Sequence, residues 1–274
     1  MTMFATDRSM PIAELARAVE ERGFSSLWVP EHTHIPVSRR TPYPAGGPLP
    51  EEYRRTLDPF VALSMAAAVT TSLRVGTGIA LVAQRDPIVT AKAVATLDHL
   101  SGGRFNFGVG YGWNADELED HGVVAPERRA VVRERLLAMR ALWSDEEASF
   151  DGEHVHLSPS WAWPKPVQQP GPPVLMGGAA GPTLLRHIAE LGDGWIPIGG
   201  GGLAAALDDL RGACDDAGRN FHELSIIPFG AVPSEGKLEH YATLGVTESV
   251  LSLPSAGADE VLAVLDGYTR FLFR

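Results

Sequence analysis

Glu31 and His32 stand side by side in Pro30-Glu31-His32-Thr33-His34, directly after the β-prone run Ser26–Val29. An imidazole is the usual proton carrier near neutral pH, and a carboxylate beside it can orient it. The pair points to acid–base chemistry at a strand end, with His32 moving the proton and Glu31 orienting it or contacting a bound ring. His34, in the same loop, reads as structural or solvated. A His-x-His spacing recurs at His154 and His156. Neither pair has the further histidine and carboxylate that a metal site needs, so no metal is expected.

Glycine-rich turns follow other β-prone runs: Gly76-Thr77-Gly78-Ile79, Gly108-Val109-Gly110-Tyr111-Gly112-Trp113-Asn114, Gly177-Gly178-Ala179-Ala180-Gly181 and Gly199 to Gly202. Glycine lets backbone come close to a ligand. The turn ending at Gly181 precedes a helix, whose free N–H groups form a natural anion site. Together the four turns suggest a bulky, flat, phosphorylated ligand lying across the strand ends. They do not form a dinucleotide fingerprint, because Trp113 stands where the last glycine would fall and no acidic partner follows a second strand. Tyr111, Trp113 and Trp195 lie by these turns, where such rings either line a flat ligand or lid the core. Arg39-Arg40 and Arg54-Arg55, in the long second loop, read as solvated surface.

These strand ends need an architecture that gathers them. Pro11 with Ile12, Leu15, Ala16 and Val19 at helical spacing, closed by Gly23, predicts a first helix. Asp58-Pro59 and Asp86-Pro87 are matched helix starts. Further helices are expected over 126–143, 182–191, 203–217 and 235–244, with a terminal one after the last strand. Strands fall at Met3–Ala5, Ser26–Val29, Leu73–Thr77, Arg104–Gly108, Val174–Met176, Trp195–Ile198, Leu224–Phe229 and Ser249–Leu253. Alternating strand and helix imply a parallel sheet, and eight such units predict a (β/α)8 TIM barrel whose function-bearing loops lie at the C-terminal strand ends. Insertions are expected after strands 2 and 4. Residues 148–173 form an excursion, with a hairpin at Asp151-Gly152 and then a proline-rich stretch; with the second loop it should shape the substrate pocket. The first strand spans only about 10 Å, so the true start is expected further upstream.

The 274 residues suit one such domain, 1–274. Apolar residues make up 45% and charged ones 21%, an ordinary globular composition. A formal net charge of −11 argues against nucleic-acid binding. The lone Cys214 gives no disulfide framework, and no apolar run reaches the roughly 18 residues of a membrane helix. A cytoplasmic protein is expected.

The motifs together resemble the luciferase-like monooxygenase superfamily, particularly its actinobacterial oxidoreductases that use coenzyme F420, a deazaflavin. The resemblance rests on Ser26-Leu-Trp-Val-Pro-Glu-His-Thr-His-Ile-Pro36, Leu73-Arg-Val-Gly-Thr-Gly-Ile79, Ala95-Thr-Leu-Asp-His-Leu-Ser-Gly-Gly-Arg-Phe105, Gly108-Val-Gly-Tyr-Gly-Trp-Asn114 and Gly192-Asp-Gly-Trp195. It implies that Glu31 and His32 lie by the deazaflavin ring, and that a non-proline cis peptide at Gly78-Ile79 supports the ring from behind. It also implies a phosphate at Gly177 to Gly181 and the Gly192-Asp193-Gly194 approach, and a carboxylate after strand one, matched by Asp7. The activity it implies is hydride transfer between F420 and a small organic substrate, in a homodimer, with a separate reductase as a further partner.

Two other classes stay open at this point. One is an FMN-dependent monooxygenase fed by a flavin reductase; the other is a catalytically silent flavin-binding protein. A barrel aldolase ranks lower, because Lys92, Lys165 and Lys237 do not fall at strand ends.

Overall fold

The computed structural model of the chain describes residues 1–198 and 201–272. In chain order its elements begin α1 (Ile12–Glu21), β1 (Ser26–Val29), α2 (Pro59–Ala68), β2 (Arg74–Thr77), α3 (Pro87–Ser101), β3 (Phe105–Val109), α4 (Ala115–Asp120) and α5 (Arg128–Ser144). They continue β4 (Ala148–Asp151), β5 (His156–Ser160), β6 (Val174–Gly177), α6 (Pro182–Leu191), β7 (Gly194–Ile196) and α7 (Leu203–Asp216). Last come β8 (Ser225–Ile226), β9 (Phe229–Ala231), α8 (Glu235–Thr243), β10 (Val250–Leu251) and α9 (Ala258–Tyr268). The Asp-Pro starts act as expected: Asp58 accepts from the N–H groups of Phe60 and Val61, and Asp86 from Val89.

Strands β1-β2-β3-β6-β7-β8 form one parallel sheet in that order, and β9 pairs in parallel with β10. Each crossover carries a helix, which gives an α/β arrangement of a curled parallel sheet clothed by helices. Two sequence expectations change here. The first strand pairs through Met1 to Met3 rather than Met3–Ala5, and Thr2 bridges both Trp28 and Ser252. The run Leu224–Phe229 is two strands, because Pro228 between them has no N–H to donate to a ladder. Gly199 and Gly200, half of the fourth glycine turn, lie outside the described residues.

Side chains alternate along each strand, which separates two cores. Leu27 and Val29 of β1, Val174 and Met176 of β6 and Trp195 of β7 pack toward the helices. Trp28, Leu175, Ile196, Ile227 and Val250 pack on the other face, with Ile79 and Phe229 against them.

The excursion lies away from the C-terminal strand ends. Strands β4 and β5 form the expected antiparallel hairpin, whose turn packs on Glu134 of α5. The following stretch docks at the opposite end of the sheet: Gln168 donates to the Phe105 carbonyl at the start of β3, and Lys165 to the Leu142 carbonyl in the last turn of α5. A role for 148–173 in shaping a pocket at the glycine turns is therefore corrected. Among the described residues no helix is long and apolar enough to cross a membrane.

Candidate active site

Strand β1 delivers Glu31 and His32 to the C-terminal end of the sheet, where both are buried. They face different partners. Glu31 Oε2 accepts from the Leu81 N–H at 2.7 Å and Oε1 from Arg85 Nε at 2.6 Å. Arg85 also holds Asp58 at 2.6 Å and lies over the Phe60 ring at 4.6 Å. Glu31 thus ties β1 to the loop after β2 and does not orient His32.

The acid that does so is Glu117, from the first turn of α4. His32 Nδ1 lies 2.8 Å from Glu117 Oε2, and Glu117 is 0% exposed. A carboxylate can only accept, so Nδ1–H donates and, in the neutral ring, Nε2 keeps its lone pair. The Thr56 hydroxyl fixes the His32 carbonyl at 3.1 Å. Around the imidazole stand Tyr53 at 5.1 Å and Trp113 at 6.0 Å between ring centroids. Burial, reinforced by Tyr43, pushes the Tyr53 hydroxyl up, so it stays a neutral phenol.

The loop after β1 and α4 are joined further by polar contacts. His34 meets Asp120 at 2.9 Å, Thr33 meets His121 at 2.8 Å, and Arg40 pairs with Asp116 and Glu119. His34 is thus a latch at the rim, in line with its structural reading.

The glycine turns converge on one side chain. The Gly78-Ile79 peptide is cis. A Cβ on Gly110 would run into Ile79 Cδ1, and one on Gly177 would meet Ile79 Cγ2 at 2.7 Å. These glycines seat Ile79 between β3 and β6. Gly108 lies inside β3, where a Cβ would strike the Thr77 carbonyl, and the Thr77 hydroxyl is spent on the Gly108 carbonyl at 2.6 Å. Both act through backbone packing, not through a free polar group.

Tyr111 turns toward α6, its hydroxyl 2.8 Å from His187 Nδ1. Burial pushes the Tyr111 hydroxyl up to about 12 and His187 down, so a neutral phenol meets a neutral imidazole. Gly112 adopts φ 78°, which brings Trp113 back over His32. Trp195 is corrected: it is 2% exposed on the helix-facing side, and its Nε1 donates to the Gly178 carbonyl at 3.0 Å, bracing the turn rather than lining a ring site. Asp7 is exposed and ion-paired with Arg55 at 2.8 Å.

Sequence reasoning passed over Glu117, Arg85, Tyr43 and Tyr53. An acidic residue in a helix's first turn has a local explanation in the helix dipole. Tyr43 sits in an irregular loop and Tyr53 in a short 3-10 turn, Glu51–Arg55, with no periodicity to mark them.

A family model described as luciferase-like monooxygenase matches residues 6–235. The chain belongs to this family. A relative named only as an uncharacterized protein, from Mycobacterium tuberculosis, is 46% identical over 97% of this chain and 95% of its own length. The F420-dependent glucose-6-phosphate dehydrogenase of Kineococcus radiotolerans is 30% identical over 76% of this chain and 59% of that protein. The fold is similar to that of monooxygenase RslO1 from Streptomyces bottropensis, with a TM-score of 0.77 at 21% identity over 96% and 92% of the two chains. It is equally similar to the coenzyme F420 dependent tetrahydromethanopterin reductase of Methanopyrus kandleri, at 0.76 and 18% over 98% and 96%. The chain is an oxidoreductase-type member of a family whose relatives include F420-dependent enzymes and monooxygenases.

The residues fit a phosphorylated ring cofactor of that kind. On the loops after β2 and β3, the side-chain amides of Gln84 and Asn114 are buried without a hydrogen-bond partner among the described residues, as is Glu117 Oε1. Buried polar atoms left unpaired cost free energy and mark places for an incoming group. At the N-terminus of α6, Gly181 makes no side-chain cap and has open space where a Cβ would stand. Its free N–H groups suit an anion.

Proposed function

We propose that this protein is a coenzyme F420-dependent oxidoreductase that moves a hydride between the deazaflavin and a small organic substrate, at the mouth of a (β/α)8 barrel. The barrel reading draws support from Thr2, which bridges Trp28 at one edge and Ser252 near β10 at the other. The observation that carries the function is the buried His32–Glu117 pair at the same end of the sheet as the Ile79 seat, in a family that contains F420-dependent relatives.

When bound, the deazaflavin supplies the hydride donor or acceptor. The chain's own groups do the rest. Ile79, with backbone from the Gly108 to Gly112 turn, supports the ring, while Gly178 to Gly181 at α6 hold the phosphate. Glu31 and Arg85 keep the loop after β2 in place. His32 gives or takes a proton at Nε2, and Glu117 holds the imidazole through Nδ1. Tyr53 and Trp113 shield the imidazole from water. A homodimer and a partner reductase that supplies reduced cofactor belong to the same proposal. The dimer is supported by Val61 and Met65 of α2 and Ile88 and Val89 of α3, large apolar side chains exposed on neighbouring helices.

Titrating the purified protein with F420 and with FMN tests the cofactor. Tighter F420 binding is expected; preference for FMN makes the protein a monooxygenase candidate and overturns the reading. Binding without turnover across a panel of alcohols, ketones and enones would make it a silent binding protein.

A further inference from the structure

Beside His32 the loops after β1 and β3 bring together three aromatic rings, two of which, Tyr53 and Trp113, also shield the imidazole. Tyr43, Tyr53 and Trp113 stand at centroid distances of 5.3, 6.0 and 6.4 Å and at interplanar angles of 73°, 66° and 79°. The two tyrosine hydroxyls meet at 3.2 Å and close one corner. All three residues are half-buried, so the cluster remains reachable from solvent. Mutually steep rings of this kind favour a further flat π-system packed edge-to-face or offset among them.

One polar group overlooks this enclosure. Arg39 places its guanidinium 5.8 Å from the Trp113 centroid. Among the described residues it has no carboxylate within salt-bridge distance, whereas its neighbour Arg40 is engaged by Asp116 and Glu119. Arg39 Nη1 is buried without a hydrogen-bond partner. Arg39 is also the one non-glycine residue among those described with positive φ, at 50°, a conformation rare for a bulky side chain. A left-handed backbone thus turns the guanidinium onto Trp113 and leaves one donor without an acceptor. Such a donor matches an anionic oxygen, which a guanidinium binds more strongly than a neutral one.

We infer that the substrate is a planar, conjugated carboxylate, its π-system held among Tyr43, Tyr53 and Trp113 and its carboxylate on Arg39. This rests on the reading of the His32 mouth as the substrate site, and Arg39 and Trp113 become its specificity-determining residues. Arg39 comes from the loop after β1 and Trp113 from the turn after β3, so the two loops together choose the substrate.

The test uses the full chain and two probes of one shape, trans-cinnamate and cinnamyl alcohol, titrated by calorimetry with and without F420. Expected is saturable cinnamate binding at least tenfold tighter than that of the alcohol, lost by at least tenfold in Arg39→Asn and in Trp113→Leu. Asparagine tolerates positive φ, so Arg39→Asn removes the guanidinium while keeping the backbone. Should that variant not fold, the two probes on the wild-type protein decide. Equal binding of the probes, unchanged cinnamate affinity in folded Arg39→Asn, or no saturable binding overturns the inference. Cinnamate selectivity without any F420 binding would support it while overturning the proposed cofactor.

Discussion

Glu117 Oε2 lies 2.8 Å from His32 Nδ1, across 85 residues of sequence, and neither group has more than a trace of solvent contact. This pairing makes Glu117 a positioning residue and leaves Nε2 as the working nitrogen. Glu117→Gln keeps the side-chain shape while removing the charge, and its amide can present either an acceptor or a donor to Nδ1, so the tautomer is no longer fixed. Turnover is expected to fall roughly 10-fold to 100-fold, as for other partners that orient a histidine, with a loss in kcat that exceeds any change in cofactor affinity. His32→Ala removes the proton carrier itself and should cost about 10²–10⁴-fold. Steady-state kinetics with a parallel cofactor titration check both. An unchanged kcat in Glu117→Gln would assign the pair to packing alone.

Arg85 joins two carboxylates, Glu31 and Asp58, and only one of them is buried. Arg85→Met keeps the stem over Phe60 but leaves the Glu31 charge facing Leu81 N–H alone. Removing one member of a buried pair costs on the order of 3–5 kcal/mol. The single variant should therefore lose stability of that order in urea denaturation, and the double variant Arg85→Met with Glu31→Gln should regain part of it, because no uncompensated charge remains. A double variant as unstable as the single one would mean that Glu31 matters through shape.

The strand–helix alternation was legible because burial imposes it on the sequence: Asp-Pro helix starts and β-branched runs carry the signal locally. The six-stranded parallel sheet and the hairpin at Asp151-Gly152 follow from such local features. Glu31 and His32 were legible as site residues, but their partners were not, since Arg85 and Glu117 lie about 54 and 85 residues away and only the sheet order brings them in. Trp195 shows the opposite failure. Its place at a strand end was read correctly, while the side of the sheet it faces depends on a one-residue register that periodicity over three residues cannot fix.

Some glycines leave no room for a Cβ, and others face open space. A methyl on Gly108 would collide with the Thr77 backbone carbonyl, which cannot move without distorting β2. Gly108→Ala is expected to cost about 1–3 kcal/mol, as overpacking does. Gly181→Ala meets nothing within 4 Å and stands at φ −169°, ordinary extended backbone, so its melting temperature should match the wild type. If the α6 turn holds the cofactor phosphate, the same variant weakens cofactor binding without touching stability. Thermal unfolding and cofactor titration of both variants separate the two roles.

Glu20, at the end of α1, accepts from the backbone N–H groups of Thr71, Ser72 and Leu73 just ahead of β2, at 2.7 to 2.9 Å for Oε1. These bonds, that of Ser72 foremost, hold its carboxyl down to about 2 against an ordinary 4.5. The sign follows from proton linkage: with the folded value depressed, the unfolded chain binds the proton first as pH falls. The stabilisation is complete above about 4.5 and is lost as pH drops toward about 2. Partial exposure and solvent screening keep its size modest, on the order of 1 kcal/mol. Glu20→Gln should therefore be less stable than the wild type at pH 7, with the gap closing between pH 4.5 and 2. Urea denaturation at pH 7, 4 and 2.5 measures it. A gap that stays constant across that range would show that the clamp between α1 and β2 acts through the shape of the side chain and not through its charge.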